Sequence, residues 1–178
     1  MNPKINVKNT WRIVYILLTV VIVLILIIKC REMPSEIMTK EDGMPDFEFN
    51  LIGGDVIEQS DVDVGKFTLL WFFNTECDLC TAETEALIDS VTLLNDCQII
   101  MVSLEDSAKV AGFNNRFRLT DLPQVSVAYV PGENKINTIN SFKIYTNPTL
   151  YVYNMNRSLI KYKPGPVTIL EIMQYLKK

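Results

Sequence analysis

The sequence contains no histidine. This absence excludes nucleophilic catalysis by a Ser–His or Cys–His pair, and it excludes zinc or copper sites built on imidazole ligands. Catalytic chemistry must therefore rest on cysteine, carboxylate, lysine or tyrosine side chains. We expect neither a metal ion nor a cofactor.

Basic residues are scarce beyond the N-terminal segment. Lys4, Lys8, Arg12 and Lys29 lie in the first 29 residues, which contain no acid, so the rest of the chain is more acidic than the formal charge of −4 indicates. An acidic body argues against a nucleic-acid partner, because phosphate binding requires clustered Lys and Arg. The acidity is typical of a solvated protein surface.

A long apolar run separates this basic segment from the acidic body. Residues 13–28 read IVYILLTVVIVLILII, without a charge, Gly or Pro, and with Trp11 they approach the roughly 20 residues that cross a bilayer as a helix. Positive charge ahead of the run predicts a cytoplasmic N-terminus. The predicted segments are a cytoplasmic N-terminus over 1–12, a transmembrane anchor over 13–29, a linker over 30–43 and one domain over 44–178.

The domain is therefore expected outside the cytoplasm, in the periplasm or on the outer face of the cell membrane. A cleaved signal peptide fits less well, because Ile28, Lys29 and Cys30 offer no small-residue cleavage site. Lipidation of Cys30 is the main alternative to an uncleaved anchor. Both alternatives tether the domain to the membrane.

Hydrophobic periodicity predicts an α/β domain of three layers with a mixed central sheet. Residues 66–73, KFTLLWFF, form a nearly continuous apolar run that predicts a central strand buried on both faces. The predicted elements are a hairpin at 46–57, strands at 66–73 and 98–104, helices at 77–94 and 107–117, a strand at 125–130, one helical turn at 140–145, a hairpin at 149–162 and a C-terminal helix at 167–178.

The most informative motif is Cys77-Asp78-Leu79-Cys80, which follows a predicted strand and begins a predicted helix. Positions i and i+3 share one face of a helix, so the two sulfur atoms can form a disulfide. The amides and dipole at a helix N-terminus favour a thiolate there. We predict that Cys77 is the attacking thiolate and that Cys80 resolves the mixed disulfide.

Other uses of the cysteines are weaker. A structural disulfide at this spacing closes a small loop and stabilises little. Half of a zinc site would need two more ligands, and only Cys30 and Cys97 remain. Cys97 is expected to be a buried apolar residue without a role.

Three segments resemble the TlpA/ResA branch of the thioredoxin superfamily. Residues 65–83, GKFTLLWFFNTECDLCTAE, resemble its active-site region, and residues 43–49, GMPDFEF, resemble its opening strand. Asn147-Pro148-Thr149 resembles the cis-proline loop of the superfamily. The resemblance implies a thioredoxin-like fold, preceded here by one transmembrane helix.

The resemblance also implies roles for residues. Cys77 and Cys80 would be the catalytic pair, and Pro148 would dock the substrate beside them. Glu83 matches a glutamate common in this branch and would be a proton relay, with a solvated helix carboxylate as the alternative. Members of the branch are extracytoplasmic reductases or disulfide handlers. The expected partners are therefore protein thiols and disulfides, with an upstream electron donor in the membrane.

The chain departs from the branch beside the first cysteine. Glu76 stands where a Trp is usual, Leu79 where a Pro is common, and Glu85 where a Pro often kinks the helix. The negative charges of Glu76 and Asp78 should oppose the helix dipole and make the Cys77 thiolate less stable. A less stable thiolate gives a less oxidising couple, which favours a reductase over an oxidase.

Two other functions are weighed against this one. A peroxidase of the peroxiredoxin type would resemble a Pro-x-x-x-Thr-x-x-Cys loop, but position 70 is Leu and Thr75 is one residue too close to Cys77. That function is not expected. The alternative that stays open is a non-catalytic, membrane-tethered binding module with a thioredoxin fold and a structural cysteine pair.

Overall fold

The computed structural model describes Trp11, residues 17–24 and residues 43–177. Residues 1–37 and residues 38–178 are separate units. In the first unit, Trp11 and residues 17–24 are helical and exposed. Among the described residues, no helix is both long and apolar enough to cross a membrane. Most of the predicted anchor, and Cys30, lie outside the described residues.

Seven strands and four α-helices follow one another along residues 43–177. The strands are β1 (Glu48–Leu51), β2 (Val56–Glu58), β3 (Phe67–Phe73), β4 (Cys97–Ser103), β5 (Val125–Tyr129), β6 (Thr149–Tyr153) and β7 (Leu159–Pro164). The helices are α1 (Asp78–Ser90), α2 (Ser107–Phe117), α3 (Lys135–Phe142) and α4 (Ile169–Leu176).

All seven strands belong to one mixed sheet, in the order β2-β1-β5-β4-β3-β6-β7. Strands β3, β4 and β5 are parallel, whereas β1, β2, β6 and β7 each run antiparallel to their neighbours. The parallel strands are joined through α1 and α2, as the alternation of strand and helix along the chain requires. The structure confirms the predicted α/β class and mixed sheet.

Strand β3 lies between β4 and β6, and its side chains alternate between two cores. Trp71 belongs to the core that also contains Leu87 of α1 and Ile172 of α4. Phe72 belongs to the core on the other face, with Phe142 of α3. Because both faces are covered, β3 reads as a continuous apolar run in the sequence. This burial fixes the end of β3, from which the chain enters the candidate site.

The predicted helical turn at residues 140–145 is wrong in its bounds. Helix α3 begins at Lys135 and ends at Phe142, and Lys143 follows in a left-handed conformation with φ of 47°. The helix is anchored by Phe142, whose ring centroid lies 5.3 Å from that of Phe72, and by the buried Thr138 one turn earlier. The surrounding sequence is polar, so the bounds of α3 depend on tertiary packing and could not be predicted from hydrophobic periodicity.

Candidate active site

Cys77 lies where β3 has ended and α1 begins. It is the N-cap of α1, with φ of −92° and ψ of 117°, and its sulfur accepts a hydrogen bond from the backbone N–H of Cys80 at 3.2 Å. The side chain is half-buried. The Cys77 sulfur thus accepts one of the backbone amides that the N-terminus of a helix leaves unpaired.

Cys80 lies one turn inside α1 and is 2% exposed. Burial raises the pKa of its thiol to about 12, and the hydrogen bond with Cys77 contributes to the same rise. Cys80 therefore remains protonated near neutral pH unless its surroundings change. Both cysteines are free thiols in this structure. The structure thus places an accessible sulfur and a protected sulfur one turn apart.

The loop before β6 faces the sulfur of Cys77. The peptide bond between Asn147 and Pro148 is cis, and the Cys77 thiol donates to the carbonyl oxygen of Asn147 over 3.9 Å. The loop is tied down by the backbone N–H of Gly165, which donates to the Pro148 carbonyl at 2.8 Å. Gly165 has φ of +80°, a conformation that a side chain would disfavour. The structure therefore brings together Cys77, Cys80 and the loop that contains Pro148.

Glu83 is a buried carboxyl group one turn after Cys80 on α1, and it is 8% exposed. One oxygen accepts from the indole N–H of Trp71 at 3.0 Å, and the other accepts from the backbone N–H of Val167 at 2.5 Å. Burial raises the pKa of Glu83 to about 7, although both hydrogen bonds act in the opposite direction. The carboxyl group is therefore not the solvated one that the sequence left open.

The chain between β3 and Cys77 is anchored by Glu105, which follows β4. The carboxylate of Glu105 accepts from the backbone N–H of Thr75 at 2.5 Å and from its hydroxyl at 3.1 Å. The hydroxyl of Ser103, at the end of β4, also donates to this carboxylate at 3.4 Å. These bonds fix the segment that carries Cys77 to the neighbouring parallel strand.

Glu76 is paired with a lysine of α2. The Lys109 ammonium lies 2.7 Å from the Glu76 carboxylate and 3.5 Å from the Glu105 carboxylate. The hydrogen bond and charge of Lys109 lower the pKa of Glu76, and the same contacts raise the pKa of Lys109. The charge beside Cys77 is thus partly compensated, which the sequence did not predict.

Glu105 and Lys109 are site residues that sequence reasoning missed. Both follow β4, and the carboxyl ends of adjacent parallel strands meet at one edge of a sheet. That rule would have brought them towards the end of β3.

Cys97 lies outside the site. It is buried at 1% exposure, and burial raises its pKa to about 12. No cluster suited to a metal ion occurs within the residues that the structure describes.

The fold and the cysteine pair define a thioredoxin-like thiol–disulfide oxidoreductase. The chain belongs to the AhpC/TSA family, whose model matches residues 41–161. No curated protein matches this chain.

Solved structures share the fold at low sequence identity. The thioredoxin domain of a thiol–disulfide oxidoreductase from Bacteroides vulgatus is 13% identical with a TM-score of 0.67, and the match covers 78% of this chain and 99% of that chain. The exposed lipoprotein thioredoxin Etrx1 of Streptococcus pneumoniae is 22% identical with a TM-score of 0.55, over 74% of this chain and 100% of that chain.

A secreted disulfide oxidoreductase of Mycobacterium tuberculosis is 14% identical with a TM-score of 0.59, over 72% of this chain and 92% of that chain. At these identities the similarities establish the fold alone. They confirm the thioredoxin-like architecture that the sequence predicted.

Replacing Glu83 by Gln should remove a pH dependence from the stability of the protein. The folded-state pKa of about 7 exceeds the ordinary value of 4.5, so the contribution of Glu83 is fully present below about pH 4.5 and is lost as the pH rises through 7. Relative to Glu83→Gln, the unfolding free energy of the wild type should fall by about 3 kcal/mol between about pH 4 and pH 8. Urea unfolding at a series of pH values measures this difference, and a constant difference would contradict the assignment.

Proposed function

We propose that this protein is a membrane-tethered oxidoreductase whose domain lies outside the cytoplasm and reduces disulfides of other proteins. The observation that carries the proposal is the position of Cys77. Its sulfur caps α1 and contacts the carbonyl oxygen of Asn147 over 3.9 Å, while Cys80 is buried one turn away. A polypeptide lying against Pro148 would present its disulfide to Cys77 and not to Cys80.

The first half of the reaction is attack by the Cys77 thiolate on a sulfur of the substrate disulfide. A sulfur–sulfur bond forms between Cys77 and the substrate, and the substrate disulfide breaks. The first substrate sulfur leaves with the electron pair and takes up a proton. The sulfur that starts this step lies at the N-terminus of α1, where it accepts the backbone N–H of Cys80.

The second half requires Cys80 to lose its proton. Part of the rise in the Cys80 pKa comes from the hydrogen bond with Cys77 and from the charge of Cys77, and both contributions end when the Cys77 sulfur enters a mixed disulfide. Glu83, with a pKa near 7, is the carboxylate one turn away that can accept the proton. The Cys80 thiolate then attacks the Cys77 sulfur, and the substrate leaves as a dithiol while the protein becomes the disulfide.

The charge around Cys77 supports a reductase. Glu76, Asp78 and Glu105 contribute carboxylates near the N-terminus of α1, whereas Lys109 contributes one cation. The pair between Glu76 and Lys109 is exposed and therefore weakened by solvent. This excess of negative charge beside Cys77 is the basis on which we propose a reductase and not an oxidase. An upstream electron donor in the membrane would return the protein to the dithiol form.

The location is supported by the N-terminal sequence. The apolar run over residues 13–28 follows basic residues, and residues 17–24 within it are helical. Two structures with the same fold are described as an exposed lipoprotein and as a secreted oxidoreductase. An uncleaved anchor and a lipidated Cys30 both give a tethered domain with Cys77 outside the cytoplasm.

The cysteine roles predict which variants capture a substrate. Cys80→Ser in the full chain should accumulate mixed disulfides with membrane or envelope proteins, because Cys77 still attacks but nothing resolves the adduct. Cys77→Ser should lose exchange activity completely and capture nothing. Cys97→Ser is the matched control and should behave as the wild type. Non-reducing electrophoresis of acid-quenched cells separates these outcomes.

If Cys80→Ser captured no protein, the proposed action on protein disulfides would be wrong. If the wild-type disulfide also failed to exchange with dithiothreitol, the non-catalytic binding module would be the better description.

The proposed location predicts the accessibility of Cys77 in intact cells. A membrane-impermeant maleimide should label the full chain from outside, and most of the difference in labelling between the wild type and Cys77→Ser should be present before the membrane is permeabilised. Cys97 is buried and should not contribute. A Cys77-dependent signal that appears only after permeabilisation would place the domain in the cytoplasm and contradict the proposal.

A further inference from the structure

The carboxylate of Glu83 is held by two donors, one on each oxygen. The indole N–H of Trp71 donates to one oxygen at 3.0 Å, and the backbone N–H of Val167 donates to the other at 2.5 Å. Trp71 is 2% exposed and Glu83 is 8% exposed. An ionised carboxylate is the form that accepts at both oxygens without bringing a competing proton. The arrangement is therefore matched to the anion.

The indole is placed by the register of the sheet. Trp71 is paired with Met101 of β4 on one side and with Leu150 of β6 on the other. Its side chain points to the core that contains Cys80 and Leu87, whereas its neighbour Phe72 points to the other core. A side chain packed in this way has lost its rotamer freedom on folding, so its N–H is already aimed at Glu83 before any substrate arrives.

We propose that Trp71 is a positioning residue of the redox reaction: its indole N–H fixes the Glu83 carboxylate one turn from Cys80 and stabilises the ionised form that accepts the Cys80 proton. This inference rests on the proposed role of Glu83 as the proton acceptor. Trp71 lies in a run that the sequence predicts only to be a buried strand. The inference gives it a function in the second half of the reaction.

The hydrogen bond from Trp71 has its own effect on the pKa of Glu83, beside the effects of burial and of the charged groups nearby. Burial and Glu171 of α4 raise the pKa of Glu83, whereas the bonds from Val167 and Trp71 and the charge of Lys163 on β7 lower it. Cys80 lies on the same helix as Glu83, and the two groups interact, because the charge of Glu83 raises the Cys80 pKa. Removing a donor to a buried carboxylate removes stabilisation of the anion alone.

The proton and electron movements in the step are balanced. The proton of the Cys80 thiol moves to an oxygen of Glu83, and the Cys80 sulfur forms a bond with the Cys77 sulfur. The bond between Cys77 and the substrate breaks, and its electron pair leaves on the substrate sulfur. That sulfur takes up a proton, and Glu83 returns its proton to solvent, so no further oxidant or reductant is needed.

The decisive variant is Trp71→Phe, which keeps an aromatic ring and removes the N–H. The full chain, with Cys30→Ser so that only the active pair reacts, is mixed with dithiobis(nitrobenzoate) in a stopped-flow instrument. The first coloured thiolate is released when Cys77 attacks, and the second when Cys80 resolves the adduct. The pH dependence of the second phase reports the ionisation of the proton acceptor.

We expect the midpoint of the second phase to move upward by about one pH unit in Trp71→Phe, so that its rate near pH 7 falls about fivefold. At a pH well above both midpoints, the two proteins should have second-phase rates within about twofold of each other, because Glu83 is then ionised in both. The first phase should be unchanged. A purely structural role of Trp71 would not produce a loss of rate that high pH restores.

Two further proteins complete the test. Phe72→Leu is the matched control, because it replaces the neighbouring aromatic ring, which points into the opposite core. This variant should leave the midpoint unchanged. If Trp71→Phe does not fold, tryptophan at this position is replaced by its benzothienyl analogue, which keeps the shape and substitutes sulfur for the N–H. It should give the same upward shift.

An unchanged midpoint in Trp71→Phe, or in the analogue where it is used, would overturn the positioning role of Trp71. The failure of the proposed function looks different. In that case the wild type itself would release no second thiolate, and Cys80→Ser would capture no substrate.

Discussion

The sulfur of Cys77 is held at the junction between a buried strand and the N-terminus of a helix, and the rest of the site is arranged around that junction. The sulfur accepts the backbone N–H of Cys80 at 3.2 Å, which ties the two cysteines together before any disulfide forms. Strand β3 fixes the position of this junction, because both of its faces are buried and it is paired in register with β4 and β6. The Glu105 carboxylate then holds the short connecting segment through Thr75.

Burial of Cys80 protects its thiol and also makes the thiol harder to ionise. Cys80 is protected from solvent, which prevents it from competing for substrate, but the same burial raises its pKa to about 12. Glu83 is buried beside it, which raises the carboxyl pKa to about 7. Two donors keep this carboxylate available as an anion. Cys80 and the carboxyl group proposed as its proton acceptor therefore share one desolvated environment, in which a hydrogen bond is stronger than it is in water.

The sequence was most informative where one element carries its own signal. The apolar run of β3 and the Cys-x-x-Cys at the start of α1 are local patterns, and the structure has both elements where they were predicted. The resemblance to a thioredoxin branch also identified the loop at Pro148 and singled out Glu83. Pro148 lies close to Cys77 only after the sheet is assembled, so spacing alone would not have found it, whereas Glu83 is one turn from Cys80 on the same helix.

The contacts that the sequence did not predict all join distant segments. Glu105 and Lys109 reach the Cys77 segment because β3 and β4 are parallel neighbours, and Glu83 reaches Val167 because the C-terminal segment packs on α1. Trp71 belongs to the run over residues 66–73 that was predicted only to be a buried strand, since no sequence pattern says where an indole N–H points. Helix α3 was misjudged for a related reason: its stability depends on the packing of Phe142.

The central claim is that Cys77 and Cys80 form a reducing couple, and the reduction potential of the full chain tests it most directly. Equilibration in detergent with dithiothreitol buffers of defined ratio, followed by thiol alkylation, gives the fraction of dithiol at each potential. The account predicts a potential near that of thioredoxin, about −270 mV. A potential near about −120 mV, typical of a strong oxidant, or a disulfide that dithiothreitol leaves intact, would contradict it.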